Sequence, residues 1–366
     1  MHIAIAGTRG IPAAYGGFET FAQELAQLLV ERGHQVTVFG RRKFGESREP
    51  TNLNGIEVRY SPTIFSKHLE TPLAAITSLG SVGRLGVDVV LLCNAANSPF
   101  AWLCRLARVP VAINVDGIER RRSKWGLAGR LWYRLGEQCS VWFGDRVVAD
   151  ADVIASYYRE RFGVSPVSIA YGARVVRREA GEVLARFGLK SREYLLYVSR
   201  FEPENNALGV VQAYRQSGIS IPLVMVGDAP YAKKYIESVH RAAGPSVIFT
   251  GYQFGEAYQE LQSHAYAYIQ ATEVGGTHPA LVEAMAYGNA IIANDTPEHV
   301  EVLADAGWYY NRNDFNDLSQ KFKQIAGDPT VLFTLRESAA RRAATHFSWE
   351  NVTTQYEKFF AEMIED

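Results

Sequence analysis

Residues 273–288 read Glu-Val-Gly-Gly-Thr-His-Pro-Ala-Leu-Val-Glu-Ala-Met-Ala-Tyr-Gly. A glycine turn opens here directly into a helical pattern. Such a junction leaves backbone N–H groups at the positive end of the helix dipole, which attracts phosphate. Pro279 suits a first helical turn, where its missing N–H has no bond to lose. Glu283 then lies about one turn into the helix, within reach of a sugar hydroxyl. Phosphate at the dipole and ribose on the carboxylate together describe a nucleoside diphosphate. A plain buried helix with a solvated Glu283 is the competing description, since glycine turns are common.

A second glycine loop favours the first description. The chain opens Met-His-Ile-Ala-Ile-Ala-Gly-Thr-Arg-Gly-Ile-Pro-Ala-Ala-Tyr-Gly-Gly-Phe-Glu-Thr-Phe. Residues 2–6 form an apolar run suited to a buried parallel strand. Residues 7–17 form a loop, and Phe18, Phe21, Ala22, Leu25, Leu28 and Leu29 then follow helical spacing. This is a βαβ unit with a long loop over the carboxyl end of its strand, where α/β proteins bind ligands. Gly7 and Gly10 lie too far from Gly16 and Gly17 for the dinucleotide fingerprint, and no P-loop lysine follows.

The elements that must hold these loops repeat along the chain. Apolar runs predict strands at 2–6, 35–40, 56–60, 88–93, 110–115 and 146–149, and again at 194–199, 221–226, 246–250, 266–270 and 290–293, with helices between. This alternation argues for an α/β protein of two open parallel sheets. A chain of 366 residues exceeds the size at which one core usually keeps growing, which also predicts two domains. Their boundary is expected near residues 171–178, giving domains at 1–172 and 173–347. Residues 348–366 form a last helix with an aromatic stripe, Trp349, Tyr356, Phe359 and Phe360. That stripe packs either on the first domain or on its own.

A net charge of −1 argues against nucleic acid as a partner held by bulk charge. Cys93, Cys104 and Cys139 are odd in number and lack metal-ligand spacing, which fits reduced thiols in a cytoplasmic protein. A strand starting at residue 2 leaves no room for a signal peptide, and no run of 18 apolar residues predicts a membrane span. His34, His68, His240 and His264 show no paired ligand spacing.

The two-domain layout, the N-terminal glycine loop, Arg200 after a strand and the Gly-Thr-His-Pro…Glu283 helix resemble retaining nucleotide-sugar glycosyltransferases of the GT-B fold (family 4, group 1). In that fold two Rossmann-like domains face each other across a cleft. The N-terminal motif, Asn-Val-Asp-Gly-Ile-Glu and Arg-Phe-Glu-Pro-Glu-Asn-Asn closely resemble bacterial rhamnosyltransferases that build capsules, O-antigens and rhamnose-rich cell-wall polymers. The resemblance implies transfer of L-rhamnose from dTDP-L-rhamnose to a saccharide acceptor, without a metal or other cofactor. It implies front-face attack, with a leaving phosphate oxygen taking the acceptor's proton, so no nucleophile is assigned. A UDP- or GDP-sugar donor, a nucleotide-sugar epimerase and a non-catalytic nucleotide-sugar scaffold are the alternatives.

Carried over residue by residue, the resemblance places Gly16, Gly17, Arg200, Asn205, Gly276, Thr277, His278 and Glu283 on the donor. It places Tyr15, Asp116, Glu119 and Arg120 on the acceptor, and Asp116, Arg200, Glu273 and His278 at the chemistry. An Arg fork suits phosphate oxygens, and a carboxylate at Asp116 can orient a hydroxyl or steady positive charge on the sugar. Capping the following turn is the other reading of Asp116.

Two departures stand out. The family's phosphate-binding Lys falls at Asn205 or Asn206, leaving Arg200 with more of the pyrophosphate charge. The first of the family's two glutamates, which are separated by seven intervening residues, falls at Gly275; Glu273 or His278 would have to serve the sugar instead. Asp150-Ala-Asp152 matches an Asp-x-Asp metal motif only superficially, and either aspartate is expected to cap the next helix.

The resemblance also implies a lipid-pyrophosphate-linked acceptor at the cytoplasmic membrane face. Two segments fit peripheral contact with anionic lipid: Arg120-Arg121-Arg122-Ser-Lys124-Trp125, and the stretch 62–87 with Phe65, Leu69, Leu73, Ile76 and Leu79 beside Lys67, His68 and Arg84. A solvated charge run and an ordinary core helix are the competing readings.

Overall fold

The computed structural model describes residues 1–13, 16–41, 49–63, 69–122, 125–229, 232–328 and 330–365. It divides into two units. The first comprises residues 1–121, 125–172 and 349–366, and the second residues 173–348 together with the segment at Arg122.

The first unit holds β1 (His2–Ala6), β2 (Gln35–Arg41), β3 (Thr51–Leu53), β4 (Ile56–Ser61), β5 (Val89–Cys93), β6 (Val111–Val115), β7 (Arg146–Ala149) and β8 (Val167–Ser168). They form one sheet in the order β3-β4-β2-β1-β5-β6-β7-β8. The pairings are parallel except that of β3 with β4. Every residue of β1, β5 and β6 is buried, as expected of strands covered on both faces. The helix Gly17–Glu31 turns Phe21, Ala22, Leu25, Ala26 and Leu29 into the core at helical spacing. Gly7 follows β1 at φ +91°, and a Cβ there would sit 2.2 Å from the Cys93 carbonyl oxygen, so only glycine lets this loop leave the strand.

The helix Trp349–Glu365 completes this core. Its Trp349, Tyr356, Phe359 and Phe360 are buried, and the Tyr356 ring lies 5.5 Å from Phe21. The Asn114 side-chain amide donates to the Tyr356 hydroxyl at 2.9 Å. At the rim, Arg32 bonds Glu350 and Glu357 at 2.9 Å, and His34 meets the other Glu357 oxygen at 2.7 Å.

The second unit holds β9 (Leu195–Val198), β10 (Leu223–Val226), β11 (Val247–Gly251), β12 (Ala267–Gln270), β13 (Ala290–Asn294) and β14 (Gly307–Tyr310). They form a parallel sheet in the order β11-β10-β9-β12-β13-β14. The order steps away from β9 in both directions, so the loops after β9 and β12 emerge side by side at the strands' carboxyl ends.

Three strands lack the apolar runs that mark the others. β3 is a short edge strand reading Thr-Asn-Leu, β8 has two residues, and β14 is Gly-Trp-Tyr-Tyr and mostly half-buried. The helix Asp152–Phe162 corrects a further expectation. Ala151, not Asp150 or Asp152, is its N-cap, with no side-chain cap bond; Asp152 lies in the first turn, where its charge favours the dipole.

Candidate donor and acceptor sites

In the second unit the chain leaves β9 through Ser199 and Arg200. The Arg200 side chain is one-third exposed and lies 3.6 Å from Glu202. The two asparagines at the family's lysine position are staples for this loop. Asn205 donates from its side-chain amide to the Arg200 carbonyl at 2.7 Å, and the Tyr197 hydroxyl donates to the Asn205 carbonyl at 2.6 Å. Asn206, at φ +60°, donates to the Ala271 carbonyl at 3.0 Å and to the Glu273 carboxylate at 2.7 Å. A lysine could not make these local bonds, because they depend on a short planar amide.

Glu273 is held in place by the same network. Its other oxygen lies 3.3 Å from Arg312, and its backbone N–H donates to the Glu204 carbonyl at 2.9 Å. Gly275 has φ +158°, and a Cβ there would lie 2.4 Å from His278 Cε1. The imidazole thus fills the space that a side chain at the family's first-glutamate position would need. Gly276 and Thr277 are buried, and His278 is the N-cap of the helix Pro279–Ala286, without a side-chain cap bond.

Two imidazoles lie together here, with the His278 and His299 rings 5.2 Å apart. Loss of water pushes His278 well below its usual range, with His299 and Arg122 adding to the shift, so it is neutral. His299 is fully buried, and burial pushes it down to about 4. Its Nδ1 lies 3.1 Å from the Asn294 carbonyl and its Nε2 3.1 Å from the Gln270 amide nitrogen. These partners select the Nδ1–H tautomer: one nitrogen donates to a carbonyl, the other accepts from an amide.

A stability prediction follows. An unfolded histidine titrates near about 6.5, so between that pH and about 4 the unfolded chain takes up the proton that folded His299 refuses. Stability is then full above about pH 6.5 and falls toward pH 4, by up to roughly 3 kcal/mol from this group. Urea unfolding midpoints should drop over this window, and His299→Gln should flatten the drop; an unchanged profile would sink the assignment.

Glu283 is oriented by residues that sequence reasoning did not pick out. The Tyr258 hydroxyl donates to Glu283 Oε2 at 2.6 Å. Gln262 donates to the Tyr258 oxygen at 2.9 Å, and Asn289 donates to Gln262 at 3.0 Å. Burial first, and then the Glu283 charge, pushes the Tyr258 phenol far up, so it stays a donor. Tyr258 and Gln262 sit four residues apart on the helix Gly255–Ser263, a polar pair on one face and the one sequence signal available.

In the first unit, Gly16 is the N-cap of the helix that Gly17 begins. Glu19 is buried and accepts the Arg9 backbone N–H at 2.8 Å, closing the glycine loop. Tyr15 lies outside the described residues. Asp116 follows β6 and is partly buried, and its charge adds to the desolvation that raises Cys93, Tyr158 and Tyr171. Glu119 starts the turn Glu119–Arg121.

Arg120 is committed within the fold. Its Nε lies 3.0 Å from the buried Glu137 carboxylate, and its Nη2 donates to the Tyr157 hydroxyl at 2.9 Å. Arg122 is buried as well, 3.9 Å from Glu204. Two guanidiniums of the arginine run are thus turned to carboxylates, while Arg121 is exposed and Lys124 lies outside the described residues. Of the stretch 62–87, Phe65, Lys67 and His68 lie outside the described residues, and the helix Glu70–Leu79 buries Leu79 but exposes Ile76.

Two parallel-sheet Rossmann-like units in one chain, with a glycine-led helix N-terminus after β12, agree with the two-domain layout expected from the sequence. Residues 16–174 match the glycosyl transferase 4-like domain, and residues 184–346 match the glycosyl transferases group 1 domain. Each half of the chain thus belongs to a glycosyltransferase domain family, and the whole has the GT-B fold. O-antigen chain mannosyltransferase B of Escherichia coli is 29% identical over 182 residues, covering 47% of this chain and 47% of that protein. The match thus spans about half the length of the curated relative. Sucrose-phosphate synthase of Thermosynechococcus elongatus superposes with a TM-score of 0.84 at 19% identity, covering 100% of this chain and 99% of that one. Anabaena HepE, solved with UDP, gives 0.78 at 16% identity, covering 99% and 100%. Among the described residues, no group of three or more His, Cys, Asp or Glu side chains is placed to hold a metal ion.

Proposed function

We propose that this protein is a retaining hexosyltransferase that moves a sugar from a nucleoside diphosphate to a saccharide acceptor in cell-surface polysaccharide synthesis. The observation that carries this reading is Glu283, set in the glycine-led helix and fixed by Tyr258, Gln262 and Asn289. A carboxylate aimed by three linked side chains suits a ribose hydroxyl. The helix N-terminus after Gly276 and Thr277 takes the pyrophosphate, with Arg200. Neutral His278 hydrogen-bonds a sugar hydroxyl, and Glu273 holds the loops in register. Asp116 and Glu119 orient the acceptor hydroxyl. As the bond to phosphate breaks, a leaving oxygen takes the acceptor's proton, and Arg200 and the helix dipole stabilise the charge in place of a metal.

The sugar is L-rhamnose from dTDP-L-rhamnose, on the strength of the N-terminal motif. The acceptor is a lipid-pyrophosphate-linked saccharide met at the cytoplasmic face of the membrane. The Escherichia coli relative favours one second reading, a mannosyl donor.

The test is a thermal-shift panel of dTDP, UDP, GDP and their sugars, with and without EDTA, on wild type and Glu283→Ala. Selective stabilisation by dTDP-L-rhamnose that survives EDTA supports the rhamnose reading. Selectivity for GDP- or UDP-sugars replaces it, and sugar-nucleotide turnover without acceptor points to an epimerase. Glu283→Ala should weaken donor binding by about 1–3 kcal/mol, the usual loss for a charge-assisted hydrogen bond; unchanged affinity would remove Glu283 from the ribose.

A further inference from the structure

We propose that the helix Leu127–Phe143 is the face by which the first unit docks on an anionic lipid surface. Its inner side is ordinary: Tyr133, Gly136, Glu137, Cys139 and Ser140 are buried. The side opposite should be polar in a solvated helix. Instead Leu127, Leu131, Leu135 and Trp142 are 82%, 64%, 44% and 56% exposed. Their spacings of four, four and seven residues put them on one stripe. Single exposed apolar side chains need no explanation, but a ridge along a whole helix does.

A neighbouring helix exposes apolar side chains as well. The Phe100 and Trp132 rings lie 6.2 Å apart, and Arg105 reaches Asp145, just past the helix end, at 3.7 Å. Between these two contacts the helix Trp102–Leu106 exposes Trp102 at 41% and Leu106 at 74%.

Charge selects the occupant. Arg108, Arg130, Arg134 and Arg146 are exposed on or within three residues of these two helices, and Arg105 is exposed beside Asp145. The one acid within the two helices, Glu137, is buried on Arg120, and Asp145 is paired with Arg105. Leucines and tryptophans flanked by arginines fit an interface where apolar tails meet anionic headgroups. No helix among the described residues is long and apolar enough to cross a membrane, so contact here is lateral. The inference deepens the lipid-linked-acceptor reading, yet its test requires no sugar transfer.

The test is co-sedimentation of the full chain with vesicles of phosphatidylcholine, alone and with phosphatidylglycerol. Binding should require the anionic lipid and weaken with salt. Leu131→Asp with Trp142→Asp, and separately Arg130→Glu with Arg134→Glu, should each lower vesicle binding at least about tenfold. All of these positions are exposed, and each variant's unfolding midpoint and donor-induced thermal shift report whether fold and donor site are intact. No binding by wild type, or equal binding by the variants, overturns the proposal. So does a concentration-dependent dimer, measured by light scattering, that Leu131→Asp dissociates while vesicles are ignored. Loss of the donor shift in wild type would count against the transferase reading alone.

Discussion

Arg200→Ala is expected to lower kcat/KM by about 10²–10³-fold, the range for removing one preorganised group that meets charge developing in the transition state. The size follows from the loop around it. Where relatives of this kind place a lysine, Asn205 and Asn206 are neutral and engaged in holding the loop to Arg200, Ala271 and Glu273. In the proposed donor site Arg200 would therefore carry a share of the pyrophosphate charge that a pair would divide. Folding should be little affected. The side chain is one-third exposed, and its 3.6 Å pairing with Glu202 is of the kind that contributes about 0–1 kcal/mol. Arg200→Lys should recover part of the activity, because the charge returns without the fork. Steady-state kinetics with matched urea curves decide the matter. Wild-type turnover in the alanine variant would take Arg200 out of the chemistry.

Gly275→Ala is expected to damage both stability and turnover, although it adds one methyl. A Cβ would stand 2.4 Å from His278 Cε1 and 3.0 Å from Nε2, and the imidazole is already backed by His299 at 5.2 Å between ring centres. Overpacking of this kind costs about 1–3 kcal/mol. The displaced ring belongs to the N-cap residue of the helix Pro279–Ala286, so the start of that helix moves with it. Gly275→Glu, which would write in the family's usual residue, should be worse than alanine rather than restorative. A double-mutant cycle isolates the clash: in a His278→Ala background, Gly275→Ala should cost less, leaving only the strain of an L residue at φ +158°. An equal cost in both backgrounds would place the cause outside that clash.

The parts of the fold read directly from the sequence are those where one physical term dominates. β1, β5 and β6 are covered on both faces, so burial alone writes them as unbroken apolar runs. β3, β8 and β14 owe their state to a neighbouring strand edge, which no local pattern records. The helix after β12 was legible because Pro279 and the glycines before it follow local rules of helix initiation. The support around Glu283 was not, since the Tyr258–Gln262 pair of one helix meets Glu283 and Asn289 only in the tertiary fold. Arg120 and Arg122 looked like a surface charge run, yet each finds a carboxylate far along the chain, at Glu137 and Glu204. The exposed leucines of 127–143 are spaced like any core stripe, and only their exposure shows that the stripe faces outward.

The helix Trp349–Glu365 closes the core around Phe21, so the first unit is made from both ends of the sequence and the second from its middle. On the ribosome, the order of emergence and the order of completion then differ. The glycine loop and β1 emerge before the second unit but wait for the aromatic stripe of Trp349–Glu365, while the second unit has all its strands before that helix is made. Until then the nascent first unit carries an open apolar groove where Tyr356 and Phe360 will sit, and chaperone holding is expected there. A chain halted before Trp349 should yield a folded second unit attached to an aggregation-prone first one. Damage to the last helix would thus be felt most at the opposite terminus.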